Sequence, residues 1–382
     1  MEEVVVKKCD NYQEQEINNK LNALIKELGG IDNIISPGEK VLLKVNLIRG
    51  AVPEDAVTTH PVVVKEMADI LKKAGAEVIV GDSPGGRFTQ KKLKKIYNIS
   101  GLTEIAQEKG IRLNYDTTFQ KQTYKKGKIK KSFIVGNYIN KVDKIINMPK
   151  LKTHGLTMYT GAVKNLFGAI PGLLKGEYHL KMPEVDLFSE MLLDLALFIQ
   201  PCLNIMDGVT GMEGEGPSAG IPRKFGYLMA STSSSALDIA AVYLLGIEPE
   251  TKVPLINSLK NRNLPYKRED IKIKGDQLTK TDKVKIPQIE KKSNLVDYKL
   301  PDFIGKLADI FLRPRPEFSE EKCVGCGDCV ESCPVKTISL KDNKAEVNLD
   351  NCIRCFCCQE VCGYEAVSIK RPWPGRILFS RR

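Results

Sequence analysis

Nine of the chain's eleven cysteines fall between Cys323 and Cys362, and this clustering constrains the fold more than any other feature. Cys323, Cys326, Cys329 and Cys333 make a C-x2-C-x2-C-x3-C run followed by Pro334. Cys352, Cys355, Cys358 and Cys362 repeat the spacing, with Gly363 in the proline's place. A disulfide framework would spread its pairs to close loops and would need an oxidising compartment. Tight clustering points to metal instead. Zinc sites present two C-x2-C pairs across a longer gap, whereas each half here offers three close thiolates and a fourth. Three cysteines at two-residue intervals wrap one corner of an iron–sulfur cube, and the fourth reaches the other cube. Two [4Fe–4S] clusters are therefore expected. One uses Cys323, Cys326, Cys329 and Cys362; the other uses Cys352, Cys355, Cys358 and Cys333. Gly325 and Gly327 let backbone N–H groups approach the sulfurs. Cys357 lies off this register and reads as a small buried apolar residue, with a redox-reactive thiol as the sharper alternative. Cys9 and Cys202 read the same way.

Residues 318–369 resemble the bacterial-type ferredoxins. The resemblance implies a small pseudo-twofold unit, in which a hairpin strand, a cluster loop and a short helix occur twice. Residues 337–340 and 345–348 fit one hairpin, and residues 366–370 fit the closing strand.

Upstream, apolar β-rich runs alternate with helical patterns. Strands are expected at 41–47 (VLLKVNL), 77–81, 111–115, 144–148 (KIINM), 202–206 and 226–230, and helices at 62–74, 102–109, 185–198 and 236–245. That alternation predicts an α/β fold, a mostly parallel sheet with helices on both faces. Ligands in such sheets bind outside the carboxyl ends of the strands. The segments there are polar: Thr58-Thr59-His60-Pro61, Asp82-Ser83-Pro84-Gly85-Gly86, Pro149-Lys150-Leu151-Lys152-Thr153-His154-Gly155 and Gly161-Ala162-Val163-Lys164-Asn165. Asp207-Gly208 with Gly211, Gly214, Gly216 and Gly220 reads as a glycine-rich loop. Its spacing is not the dinucleotide fingerprint, and no Walker A motif is present.

Two of the three histidines, His60 and His154, sit in these segments; His179 follows Lys175-Gly176-Glu177-Tyr178. His60, His154 and Lys164 are the candidate catalytic residues, since histidine suits proton delivery near neutral pH. Lys44, Asn46, Asp82, Lys152, Asn165 and Asp207 are the candidate substrate-binding residues. Lys44 lies inside a strand that should be buried, so it needs a partner or a task. The choice is a salt bridge to Asp82 or Asp207, or a substrate anion.

The order of VLLKVNL, TTHP, GAEVIVGDSPGG, NMPKLKTHGLTMYTGAVKNLFGAIPG, DGVTGMEGEGP and SSSALDIAAVYLLGI resembles a family known as domain of unknown function 362 over residues 41–249. Several members of that family carry a C-terminal pair of ferredoxin clusters. The resemblance implies a fold and no established reaction. A fainter similarity links this region to the N-terminal domain of nickel-dependent lactate racemase. There a loop histidine and a downstream glycine-flanked lysine serve an organometallic cofactor, in places loosely comparable to His154 and Lys164.

Lysine and arginine exceed aspartate and glutamate, giving a formal net charge of +11. Nucleic acid, an anionic protein or phosphate-bearing substrate, and a lysine-rich surface each explain such an excess. No helix-turn-helix, zinc-finger or RRM pattern supports nucleic acid. The densest basic run, 121–131, reads as a solvated hairpin turning at Gly127. No stretch approaches the ~18 apolar residues of a membrane span, and the charged N-terminus lacks the order of a signal peptide. A cytoplasmic protein is expected. Its domains are an α/β unit (1–296), a helical linker (297–317, an amphipathic segment at 298–312 stopped by Pro314 and Pro316), a ferredoxin-like unit (318–371) and a basic tail (372–382).

The expected function is iron–sulfur electron transfer, as a redox enzyme whose clusters relay single electrons to a small anionic substrate or cofactor in the α/β domain. The alternatives are a ferredoxin-like carrier whose α/β domain docks partners, and a metal or cluster assembly protein. A redox partner protein, donor or acceptor, is expected, and the sequence names no further cofactor.

Overall fold

The polar segments and the cysteine block come together in a computed structural model, which describes residues 1–247, 253–287 and 314–371. The amphipathic segment expected at 298–312 and the tail at 372–382 lie outside the described residues.

The strands of the larger unit are β1 (Glu2–Lys8), β2 (Lys40–Val45), β3 (Glu77–Gly81), β4 (Arg112–Leu113), β5 (Phe119–Thr123), β6 (Ser132–Gly136), β7 (Lys144–Met148), β8 (Lys150–His154), β9 (Met158–Thr160), β10 (Leu203–Glu213), β11 (Ile221–Ser231) and β12 (Ile271–Gly275). Its helices are α1 (Glu14–Glu27), α2 (Pro61–Lys73), α3 (Gln90–Ile99), α4 (Leu102–Lys109), α5 (Asn137–Asn140), α6 (Ala162–Asn165), α7 (Leu174–Lys181), α8 (Val185–Ile199), α9 (Ser234–Leu244) and α10 (Pro254–Asn261).

The main sheet runs β12-β1-β11-β10-β7-β2-β3-β4, with β8 and β9 attached beside β10. The neighbours β10-β7, β7-β2, β2-β3 and β3-β4 are parallel; β1-β11 and β10-β11 are antiparallel. Helices α1 to α4 pack one face through Leu21, Val64, Leu71 and Tyr97. Helices α6 to α10 pack the other through Val163, Phe188, Leu192 and Leu237. Truncating one such buried leucine costs about 2–5 kcal/mol. The architecture is the expected mostly parallel α/β sheet covered on both faces.

Local chemistry sets the helix starts. His60, Thr89 and Ser233 accept N-cap hydrogen bonds at α2, α3 and α9, and Pro61 opens α2. Asp194 sits buried in the apolar half of α8 because the β5–β6 turn needs it. Its carboxylate accepts from the N–H groups of Lys128, Ile129 and Lys130, and Arg262 pairs with it at 2.7 Å. The basic 121–131 run is thus a hairpin, as its alternation suggests.

Two segments differ from their sequence reading. The run after Met206 is a strand up to Glu213, and 150–154 is the buried strand β8; both were expected as loops. Gly211 explains the first case. A Cβ there would lie 2.4 Å from the Leu151 carbonyl oxygen, so the glycine permits β8 to approach β10 and marks no loop. The strand expected at 111–115 shrinks to Arg112–Leu113. No helix among the described residues is long and apolar enough to cross a membrane.

The smaller unit pairs β13 (Arg315–Phe318) with β16 (Val367–Lys370) and β14 (Ile338–Lys341) with β15 (Lys344–Val347), all antiparallel. Helices α11 (Asp328–Ser332) and α12 (Cys357–Val361) lie between them. The first strand begins at Arg315, three residues before the resemblance starts.

Candidate functional site

In the small unit, the eight in-register cysteines stand around two separate voids. Cys323, Cys326, Cys329 and Cys362 line one; Cys333, Cys352, Cys355 and Cys358 line the other. The crossed partition follows from topology, because α11 and α12 each end on a cysteine that turns toward the opposite loop. Among the described residues, no three His, Cys, Asp or Glu side chains converge where a single ion would sit. The thiols are spaced around voids, not around a point, which suits a cube and not a zinc ion. Backbone N–H groups of Ala345, Thr337 and Ala366 point at the sulfurs of Cys323, Cys333 and Cys362 at 3.3–3.4 Å. Such N–H···S contacts tune an iron–sulfur centre. The residues fit the cluster chemistry. Burial pushes the Cys329 thiol up to about 11, a protonated state that cluster binding must displace. Cys357 is buried and also lines the second void, between the reactive-thiol and packing readings open to it.

Charge and shape dock this unit on the carboxyl edge of the large sheet. Arg49 donates to the Ser218 carbonyl at 2.8 Å and pairs with Glu365 at 3.0 Å. Arg371 grips Glu215 through two nitrogens and donates to the Gly155 carbonyl. Gln359 donates to the Glu215 carbonyl at 2.9 Å. Arg87 pairs with Glu331, and Lys92 with Asp328 at 3.3 Å. Gly85 and Gly155 admit Val361 and Ile369; a Cβ would lie 2.7 and 2.8 Å from those side chains. The end of the glycine-rich run, Gly214–Gly220, is therefore part of the docking surface.

Beneath this surface the candidate binding residues separate into three networks. Lys44 pairs with Asp82 at 2.8 Å, both essentially buried, and the Leu47 and Ser83 N–H groups complete the carboxylate. Of the two roles open to Lys44, the salt bridge is the one adopted. Asp207 accepts from Lys150 at 2.7 Å, from the Tyr12 hydroxyl at 2.8 Å and from the His60 N–H at 2.9 Å. The His60 ring stacks on Tyr12 with centroids 3.5 Å apart, and its Nδ1 caps α2. The third network is a chain of amides, in which Asn46 donates to Asn165, Asn165 to Asn147 and Asn147 to Asn204, each at 2.8–2.9 Å. Lys152 ends this chain. It is fully buried and donates to Asn46 Oδ1 at 2.6 Å, Pro217 O at 3.2 Å and Val57 O, with no carboxylate among these acceptors. Burial, with Lys150 and Lys164 nearby, holds its ammonium well below the usual lysine range.

His154 and Lys164 meet elsewhere, at the docked helix α12. The Leu156 and Thr157 N–H groups donate to His154 Nδ1, so the neutral ring carries its proton on Nε2. Nε2 faces Glu360 Oε1 at 3.3 Å. Burial, reinforced by Lys164, lowers His154 to about 4, and burial takes the nearby His179 to about 4 as well. Burial works against the Glu360 charge, but Lys164 and His154 outweigh it and hold the carboxyl at about 2. Lys175 binds the carbonyls of Ser83 and Ile170 at 2.7 Å, and burial lowers it to about 7. His60 and His154 share no partner among the described residues, so the two histidines grouped by sequence occupy different networks.

Sequence reasoning missed Glu360, Lys175 and Arg49. For Glu360 a signal existed. Glu331 and Glu360 hold the same place in the two cysteine repeats, two residues after Cys329 and Cys358, and both face the large unit.

Comparison with known proteins follows the same division. A thylakoid-associated protein of Synechocystis sp. is 33% identical over 249 residues, 64% of this chain and 74% of its own length. The lactate racemase apoprotein from Thermoanaerobacterium thermosaccharolyticum superposes with a TM-score of 0.41 at 10% identity, over 64% of this chain and 57% of that one. A Thermotoga maritima protein gives 0.34 at 14% identity, over 59% and 57%. This chain thus spans under two thirds of either structure, and its fold is read from its own topology. Residues 315–363 match a 4Fe–4S dicluster domain. Residues 41–243 match the domain of unknown function DUF362, and the chain belongs to that family, with a ferredoxin-type 4Fe–4S domain attached.

Proposed function

We propose that this protein is an iron–sulfur redox enzyme in which two [4Fe–4S] clusters pass single electrons to a small anionic molecule held by the α/β unit. One observation carries the reading. Glu360 stands on α12 between Cys358 and Cys362, one from each cysteine set, and its carboxylate meets His154 of the α/β unit at 3.3 Å. The helix that ties the two cluster sites together thus also touches the polar site. When bound, the clusters supply one-electron transfer at potentials between about −700 and +450 mV.

The chain's own groups divide the remaining work. Cys326 is exposed, and Val324, Leu340 and Tyr364 around its void are 43–54% exposed. That apolar rim is the face we assign to the external redox partner, and the basic excess steers an acidic one toward it. Lys164 holds the substrate's anionic group. His154 is locked by two backbone donors with its Nε2–H directed at the place Glu360 occupies, and it donates to the same group. Asn46, half-exposed at the end of the amide chain, lines the site. The Lys44–Asp82 and Lys150–Asp207 pairs, with His60, fix the surrounding segments. We keep the division into an α/β unit, a linker, a ferredoxin-like unit and a basic tail, with the ferredoxin-like unit beginning at Arg315, and a cytoplasmic setting.

The experiment is anaerobic purification of the full chain, with iron and sulfide analysis and mass spectrometry of any bound compound. That compound is then used to reoxidise dithionite-reduced protein. Reoxidation at least about 100-fold slower in Lys164→Met or His154→Ala, with unchanged cluster EPR, supports the enzyme. Equal rates in all three proteins favour the carrier instead.

A further inference from the structure

The permanent ion pairs of this protein are well finished. Asp207 takes Lys150 at 2.7 Å, and Tyr12 and the His60 N–H fill its oxygens. Asp82 is completed by Lys44 and two backbone N–H groups. The Glu360–His154 contact is not built this way. His154 is 1% exposed, yet Nε2 makes no hydrogen bond, and Glu360 Oε1 makes none either. They stand 3.3 Å apart without forming a hydrogen bond. Lys164, half-buried beside them, has no hydrogen bond or ion pair among the described residues. A buried imidazole N–H therefore faces a loosely seated carboxylate, and the Lys164 charge acts on both groups.

We infer that Lys164 and His154 form an oxyanion site for a small carboxylate ligand, and that Glu360 is its displaceable internal occupant. The Glu360 side chain is 19% exposed, so it has a way out to solvent. The site offers one ammonium and one imidazole N–H, which matches the two oxygens of a single carboxylate. Burial disfavours the ammonium forms of the neighbouring Lys152 and Lys175, and an anion there favours them in return. Because Glu360 rides on α12, a ligand that takes its place also loosens the docked helix. Ligand binding and docking are then reciprocally linked. This inference rests on the anion site of the proposed function but needs no electron transfer.

The test uses oxidised, cluster-loaded full-length protein with acetate as the probe, followed by calorimetry and hydrogen exchange. Glu360→Gln keeps the side-chain shape and removes the competing charge. It is expected to bind acetate at least about tenfold tighter than the wild type, and Lys164→Met added to it abolishes the gain. Glu331→Gln, the equivalent change in the first repeat, leaves acetate binding unaltered. In the wild type, acetate speeds amide exchange in residues 357–361, and chloride at equal ionic strength does not. The exchange measurement needs no variant, so it decides the matter even if Glu360→Gln loses its clusters. Acetate binding no tighter in Glu360→Gln than in the wild type, or acetate without effect on α12 exchange, overturns the inference. Because no reductant is present, a failure of the electron-transfer reading leaves this result untouched, and the converse also holds.

Discussion

Lys44 Nζ lies 2.8 Å from Asp82 Oδ1 directly under Gly168, where a Cβ would stand 2.0 Å from the carboxylate oxygen and 2.6 Å from the ammonium. Both charged groups are buried, so removing one strands the other. Lys44→Met alone is expected to cost about 3–5 kcal/mol, measured by urea unfolding. Lys44→Met with Asp82→Leu should recover most of that loss. Gly168→Ala should destabilise as much as the single change. A cost under about 1 kcal/mol for Lys44→Met would show that water reaches the pair.

The crossed cysteine sets make a sharp chemical prediction. Wild-type protein reconstituted anaerobically should carry about eight irons. Cys362→Ser should perturb the EPR signal of the cluster shared with Cys323, and Cys333→Ser that of the other. Cys357→Ala should leave iron content and both signals intact. Loss of iron in Cys357→Ala would mean that the ligand register is misassigned.

Docking can be broken by shape alone. Gly85→Val and Gly155→Val drive side chains into Val361 and Ile369 without changing any charge. Each variant should retain its clusters, while exchange rises in α12 and at residues 214–220. Protection unchanged from the wild type in both would contradict the interface described above.

Acid should weaken the α/β unit through its buried histidines. His154 and His179 are 1% and 4% exposed, and burial lowers both from 6.5 to about 4. The folded state disfavours their charged forms. Their contribution is therefore fully present above pH 6.5 and is lost as pH falls through about 4, at up to about 3 kcal/mol each. His179 stacks on Phe188 at 4.3 Å, so His179→Phe keeps the packing and removes the proton site. That variant should show a flatter acid limb in stability measured from pH 7 to 4. An unchanged limb would mean that His179 is not charged on unfolding.

Much of this was legible in sequence. Lys144–Met148 and Glu77–Gly81 are strands with the bounds their β-rich pattern suggests, and α2 starts at Pro61 beside its His60 cap. The cysteine spacing gave the partition around two voids. Strand β8 was harder, because KLKTH carries two lysines that local pattern reading assigns to solvent. They are buried because Asp207 neutralises one and three carbonyl-type oxygens hold the other, and those partners come from distant segments. Glu360 was missed for the same reason. Its place in the cysteine repeat matches that of Glu331, but its partner His154 lies in a distant segment, and only folding brings them together.

Beside the largely buried Arg371–Glu215 pair, three docking pairs of the small unit involve an exposed group: Arg87 is 65% exposed, Glu365 54% and Asp328 37%. Contacts of that kind contribute less than about 1 kcal/mol each and weaken with salt. Two separate proteins joined only by them would seldom meet. Here both partners belong to one polypeptide, so each sees the other at an effective concentration in the millimolar range, and association needs no diffusional search. The covalent connection thus allows an interface weak enough to open and local enough to close again at once.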